Sequence, residues 1–368
     1  MTTLDRPVRT CVRVDHGELV SLAERVFRSR GVPAARALRA AEVLCHADLR
    51  GLSSHGLVNL TRLYLPLFDQ GRVDPAAEPV VRTDLGACAL VDADRALGLW
   101  AAAEAMDSAI ERAARHGVGL VSVRGGTHLG CAGAHAALAA EQGMIGLVAA
   151  NHGGRRIARP PGGALALLGT NPIGVAAPAL PGHPYVLDMS TTAVSTDRVR
   201  SAVRQGRFVP AGWLADDNGA PVTDPAALDR GDAHLLWLGS SQDAGAYKGF
   251  GLGLAVEVLA AALSGAARGP APAALDGDGR PNGRDDDVGY LVLAVSPAAL
   301  RPEEDTSAVF GELFGTILAC PPAPGRPPVR YPGWLEAERA AAHLRDGVPV
   351  APDLYEELTA LGLRGGGR

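Results

Sequence analysis

The sequence predicts an α/β protein of α+β character, with a mixed or mostly antiparallel central sheet and no doubly wound Rossmann core. Three observations carry this. The first third of the chain places apolar residues at helical spacing. From Gly117 the texture changes to short β-rich runs closed by Gly, Pro, Asn or Asp. The crossover helices of ten or more residues that parallel strands require are largely missing between those runs.

Taken in order, Leu19, Leu22, Ala23, Val26 and Phe27, then Ala34, Leu38, Ala41 and Cys45, mark two helices within 17–47, separated by Gly31 and Pro33. A third helix is predicted through Val58, Leu60, Leu63, Tyr64 and Phe68, ending before Gly71. A short strand at 89–92 precedes a helix from Leu99 to about His116. Residues 117–123, 144–151, 164–171 and 184–190 read as strands, with one helix among them from about Gly130 to Gln142. A strong helix over 252–263 follows, then a mobile loop over 265–288, rich in Gly, Pro and Asp. A strand at 289–295, a helix over 308–318, a Pro-rich connection at 321–332 and two short helices complete the chain.

With 368 residues the chain is long enough for two domains of ordinary size. A hydrophobic fraction of 47% and a charged fraction of 20% are globular and exclude a disordered regulator. Thirty-five Lys and Arg against 40 Asp and Glu give a net charge of −5, which argues against nucleic acid as a partner. No uncharged apolar run approaches the roughly 20 residues of a membrane span. The charged opening, MTTLDRPVRTCVRVDHGEL, has no apolar signal core, so a cytoplasmic location is expected. The five cysteines are scattered and never spaced as C-x-x-C, and read as small buried apolar groups.

Three constellations can carry chemistry. In Asp48-Leu-Arg50-Gly-Leu-Ser-Ser54-His55-Gly56, a guanidinium, a hydroxyl and an imidazole lie within six residues where a helix stops. They offer a carboxylate clamp and a proton donor, or else a helix cap and an Arg50–Asp48 pair. His128, in Gly125-Gly-Thr-His128-Leu-Gly, stands at a strand-to-helix junction, suited to general acid or base work or to a buried structural role. The third group is Thr170-Asn171-Pro172, Asp188-Met189-Ser190 and Tyr247-Lys248-Gly249, with His152 beside Asn151; strand ends and a lysine before a helix suit phosphates. The glycines at 126, 130 and 133, and at 249, 251 and 253, do not fit G-x-G-x-x-G. His128, His152 and Asp188 lack a recognised metal spacing, so no metal is expected.

In this order, ADLRGLSSHG, THLGCAGAHAALAAEQGMIGLVAAN, LGTNPIGVAAP, VLDMSTT, GWLADDNGAPVTDP, YKGFGLGLAVEVL and YPGWLEAE resemble the malate/L-lactate dehydrogenase-type family of non-Rossmann nicotinamide oxidoreductases. That family includes ureidoglycolate dehydrogenase, diketogulonate reductase, sulfolactate dehydrogenase and the Δ1-piperideine-2-carboxylate reductases. The resemblance spans about residues 17 to 350. It implies a homodimer, a helix-rich domain from 1–116 plus 305–368, and a central sheet domain over 117–304 that binds NADH or NADPH. It further implies hydride transfer to or from the α-carbon of a 2-oxo or 2-hydroxy acid, or of a cyclic imine 2-carboxylate. Carried over by residue, His128, His55 and Ser54 are catalytic and Arg50, Thr170 and Asn171 are substrate-side. His152, Asp188, Met189, Ser190, Lys248 and Gly333 line the cofactor. Ser53, His135, Arg198 and Trp334 depart from the family pattern, leaving cofactor preference and substrate open, together with a nucleotide-binding protein of lost or altered chemistry.

Overall fold

The computed structural model describes residues 11–241, 243–278 and 280–365. Residues 1–10 of the charged opening, and Gly279 of the segment expected to be a mobile loop, lie outside the described residues. β1 (Val12–Val14), α1 (His16–Ser29) and α2 (Ala34–Leu49) open the chain. Asp15 caps α1 by accepting the Glu18 N–H at 3.1 Å, and Leu19, Leu22, Ala23, Val26 and Phe27 form its buried face as predicted. A π-helical turn at Leu60–Tyr64 runs into α3 (Leu65–Asp69).

The sheet and its cover follow: β2 (Val80–Asp84), β3 (Cys88–Asp92), α4 (Gly98–His116), β4 (Val118–Gly126), α5 (Ala132–Glu141), β5 (Ile145–Ala150), β6 (Ile173–Leu180) and β7 (His183–Met189). A smaller unit comprises α6 (Thr196–Arg204), β8 (Leu214–Ala215), β9 (Pro221–Val222), α7 (Ala226–Arg230) and β10 (His234–Leu235), with its own core around Ile157, Val199, Leu214 and Leu235. Next come α8 (Ala246–Glu257), continued by a π-helical turn at Val258–Ala262, a 3-10 turn at Pro272–Asp276, β11 (Val288–Val295), α9 (Pro297–Leu300) and α10 (Thr306–Ala319). The chain ends with α11 (Trp334–Asp346), β12 (Val348–Val350) and α12 (Pro352–Gly365).

The seven-stranded sheet has the order β2-β3-β4-β11-β5-β6-β7. Only β3 and β4 pair in parallel, joined by the crossover helix α4; every other neighbouring pair in this sheet is antiparallel. This is the mixed, mainly antiparallel sheet that the scarcity of crossover helices predicts. The two chain ends meet, since β1 pairs antiparallel with β12 and α12 packs on α1. The sheet draws on both sides of position 116, because β2 and β3 belong to it, and α10 lies on β6. One continuous core links α1, α2 and α4 to the sheet.

Three expectations need correction. Residues 164–171 are not a strand: they make only an isolated bridge, Ala158 with Leu168, and the strand begins after the turn, at Ile173. The described residues of the 265–288 segment are held down. Arg72 pairs with Asp285 and Asp286, Asn282 exchanges backbone hydrogen bonds with Arg156 at 2.8 and 3.0 Å, and Asp287 accepts the Gly125 N–H at 2.6 Å. Asp and Asn residues of the segment expected to be a mobile loop are its anchors. Cys45 and Cys131 are buried, whereas Cys11, Cys88 and Cys320 are exposed. Among the described residues no helix is long and apolar enough to cross a membrane.

Candidate active site

α2 ends at Leu49, and Arg50 forms its C-cap. The Arg50 guanidinium donates to Nδ1 of His46 at 3.2 Å, and burial together with the Arg50 charge keeps His46 well below its ordinary pKa and neutral. Asp48 does not pair with Arg50. Its carboxylate accepts the Leu57 N–H at 2.6 Å, and Gly56 lies so close that any Cβ there would overlap the carboxylate. Burial pushes Asp48 up to about 7. The loop so closed presents Ser54 and His55, with Ser54 Oγ 3.0 Å from His55 Nδ1 and the Ser54 carbonyl held by Asn59 at 2.9 Å.

His128 follows the end of β4. Thr127 anchors the strand end, donating to the Ala96 carbonyl at 3.0 Å and accepting the Gly98 N–H at 2.9 Å. Nδ1 of His128 lies 2.9 Å from Tyr64 Oη and accepts the Gly130 N–H at 3.1 Å. A backbone N–H can only donate, so in the neutral imidazole Nδ1 holds the lone pair and Nε2 the proton. Nε2 makes no hydrogen bond within the protein among the described residues. Burial, reinforced by His55, pulls His128 down to about 4. His135 braces the same turn by donating from Nε2 to the Leu129 carbonyl at 2.7 Å, and its Nδ1 is buried without a partner. It is fully enclosed and supports the turn from behind.

His152 stands across from His128; the two line a cavity of about 30 Å³ with Gly130, Pro172 and Asp285. That volume holds about a water molecule. Nε2 of His152 is 2.9 Å from Thr170 Oγ1, and burial pulls its pKa down to about 3. Asn171, at φ +39°, is fully buried and donates to the Gly253 carbonyl at 2.9 Å and to Glu257 at 2.8 Å. Glu257 also accepts from Asn151 at 3.2 Å and from the Gly269 N–H at 3.0 Å. Asn171 thus ties the turn to α8.

A larger cavity of about 360 Å³ is lined by His46, Arg50, Gly133, Val186, Asp188, Gly333 and Glu336. Gly174 sits opposite Asp188 in the β6–β7 register and leaves room for the first turn of α5, whose Gly133 N–H donates to Asp188 at 2.8 Å. Asp188 opens onto this cavity, and the protein around it raises its carboxyl above the ordinary range. Gly333, at φ +94°, begins α11 directly against β7, where a side chain would strike the Pro184 carbonyl. Ser54 lines an adjoining cavity of about 610 Å³ with Arg198 and Trp213.

The residues singled out from the sequence therefore fall into groups. His128 and His152 share one cavity, with Thr170 behind His152. Arg50, Asp188 and Gly333 share another. His55 bridges them electrostatically, since its charge acts on His128, His152 and Asp188. Met189 and Ser190 lie at the end of β7, where Ser190 donates to the Thr192 carbonyl at 3.2 Å, and line neither cavity. Lys248 is exposed on the first turn of α8, 5.8 Å from the Tyr247 ring, and also lines neither. No group of three or more His, Cys, Asp or Glu among the described residues is placed to hold a metal. Tyr64, His46 and Asp285 belong to these sites without a sequence signal, and Arg155 acts on both histidines by its charge. Tyr64 reads only as part of a helix's apolar face, and Asp285 only as loop.

A family model described as malate/L-lactate dehydrogenase matches residues 14–359. A malate dehydrogenase of Pyrococcus abyssi is 31% identical over 359 residues, covering 96% of this chain and 95% of its own. A Δ1-pyrroline-2-carboxylate/Δ1-piperideine-2-carboxylate reductase of Pseudomonas syringae pv. tomato is 33% identical over 361 residues, 97% of each chain. The crystal structure of malate dehydrogenase from Entamoeba histolytica superposes with a TM-score of 0.88 at 25% identity, covering 98% of this chain and 99% of that one. With nearly its whole length matched in sequence and in fold, this chain belongs to the malate/L-lactate dehydrogenase family and is an oxidoreductase.

Proposed function

We propose that the protein transfers hydride between a nicotinamide cofactor and the α-carbon of a small 2-oxo or 2-hydroxy acid, or of a cyclic imine 2-carboxylate, with His128 carrying the proton. The single observation behind this reading is the fixed His128 ring, with Nδ1 occupied and a protonated Nε2 left for a ligand. The cavity of about 360 Å³ fits part of a dinucleotide by its lining: Asp188 suits ribose hydroxyls, and Val186 and Leu344 offer apolar walls. When bound, the nicotinamide supplies or accepts the hydride. In the free site burial keeps His128 neutral. A substrate carboxylate beside the ring opposes that burial effect and raises its pKa, so the ring takes up a second proton at Nδ1 from solvent; Nε2 then gives its proton to the developing oxyanion or amine and leaves a neutral imidazole. Tyr64 serves both states, because a hydroxyl can donate to neutral Nδ1 or accept from it.

Arg50 is the proposed clamp for the substrate carboxylate. Arg155 is the second candidate, favoured by one observation: its charge reaches both His128 and His152. Beyond the single chain, we propose a homodimer, supported by the exposed apolar side chains Leu252, Leu254, Val258, Leu259 and Leu263.

The test of the activity is nicotinamide absorbance with purified protein, offering NADH and NADPH separately against pyruvate, oxaloacetate, an aromatic 2-oxo acid and a cyclic imine 2-carboxylate. Consumption with one of them supports the reading. Bound nucleotide with no consumption across the panel overturns it in favour of lost or altered chemistry.

A further inference from the structure

Away from the larger cavity, a separate hollow of about 260 Å³ collects four arginines. Arg155 comes from the segment after β5, Arg200 from α6, Arg230 from the end of α7, and Arg280 from the 265–288 segment. Asp229 is the one acid on its wall, so the lining carries a formal charge of +3, four cations less one anion. The convergence is built from distant parts of the chain and is not a run of neighbouring residues.

The arginines are unequally satisfied. Arg200 is paired with Asp229 at 3.0 Å, and Arg230 with Asp224 and Asp232 at 2.8 Å each. Arg155 reaches Asp285 only at 3.8 Å, and that carboxylate is already taken by Arg72. Arg280 has no side-chain hydrogen bond or ion pair among the described residues. Its place depends on Gly231, at φ +79°, where a Cβ would lie 2.8 Å from Arg280 Nε. Gathering like charges in one concavity is unfavourable unless an anion offsets them. Guanidinium forks match the planar or tetrahedral oxygens of carboxylates and phosphates.

We propose that this hollow is a binding site for a small, multiply charged oxyanion of the phosphate or polycarboxylate class, distinct from the cavity assigned to the cofactor. Arg280 and Arg155 supply the free donors, while Arg200 and Arg230, held by their aspartates, set the positive wall. The anion has two possible sources: the far end of a doubly charged substrate, reached past the Arg155–Asp285 contact, or a separate small anion.

The experiment titrates the full-length chain, without nucleotide, with inorganic phosphate at constant ionic strength held by sodium chloride, and reads heat or thermal midpoint. The expected result is saturable binding that Arg280→Glu weakens about tenfold or more and Arg280→Lys largely retains. Arg50→Ala, which alters the other cavity, leaves it intact. Phosphate acting no differently from chloride overturns the proposal, as does equal affinity in Arg280→Glu or loss of binding in Arg50→Ala. In turnover assays, phosphate that raises KM alone assigns the hollow to the substrate's far end, and phosphate that binds without changing KM assigns it to a separate anion. Both support the site, and the binding readout does not depend on the oxidoreductase reading.

Discussion

Tyr64 Oη and the Gly130 N–H converge on one atom, Nδ1 of His128, at 2.9 and 3.1 Å. The tyrosine is fully buried, and burial holds its hydroxyl well above the ordinary pKa, so it stays protonated. One partner fixes the tautomer and the other accommodates both protonation states.

Tyr64→Phe keeps the ring and its packing against Phe27 but removes the reversible partner. We expect kcat to fall roughly ten- to a hundredfold, within the range of lost acid–base assistance. The acid limb of the pH–rate profile should also move, while ¹⁵N chemical shifts should still report the Nε2–H tautomer that the Gly130 N–H fixes. An unchanged pH profile would reduce Tyr64 to a packing role.

Burial pulls His135 down to about 4 from an ordinary 6.5. The unfolded chain therefore binds a proton at this position as pH falls through 6.5, while the folded chain does so only near 4. Stability from His135 is complete above pH 6.5 and is lost toward pH 4, about 3 kcal/mol at full extent by linkage. Asp48, pushed up to about 7, works in the opposite direction between pH 7 and 3.8. Urea unfolding of His135→Leu against wild type cancels Asp48 and isolates the histidine. The variant should show a shallower loss of stability between pH 6.5 and 4, and an identical slope would refute the assignment.

The sheet was legible because strand runs and missing crossover helices are local features. Gly117, Asn171-Pro172 and the apolar run at 289–295 announce themselves within a few residues. The site was legible where one short motif carries its own chemistry, as at Arg50 and His128. Tyr64 was not, because its partner is 64 residues away and only the packed fold brings the two rings to 5.8 Å. Asn171 was singled out as a substrate-side residue, but the carboxylate that takes up its amide, Glu257, lies inside a helix read only for its apolar pattern.

Arg50→Ala and Arg155→Ala separate the two carboxylate clamps. Arg50 shares its cavity with Asp188, whereas Arg155 acts on the histidines. If Arg50 holds substrate, its loss raises substrate KM about tenfold or more. If Arg155 does, Arg50→Ala weakens nucleotide binding instead, read by quenching of intrinsic fluorescence, and the KM effect passes to Arg155→Ala.

Val258 and Leu263 are 59% and 55% exposed on the outer face of the segment continuing α8, although both are large apolar groups. Val258→Asp with Leu263→Asp should convert the expected dimer to monomer in sedimentation equilibrium while leaving the circular dichroism of the fold intact. A wild-type chain that sediments as a monomer would remove this prediction.

Glu257 is buried, yet among the described residues no cation pairs with it. Its two oxygens accept N–H groups from Asn151, Asn171 and Gly269 at 3.2, 2.8 and 3.0 Å. These bonds favour the ionised form, and burial still raises its pKa overall. Glu257→Gln leaves one acceptor oxygen for three donors and turns an amide N–H toward one of them. Hydrogen bonds to a buried charge are worth more than neutral ones, so we expect a loss of about 2 to 4 kcal/mol in urea unfolding. The turn at Thr170-Asn171 should loosen with it, carrying Thr170 away from His152 and lowering kcat in step with stability. If kcat falls while the unfolding midpoint holds, Glu257 acts on the reaction itself and not by bracing the turn.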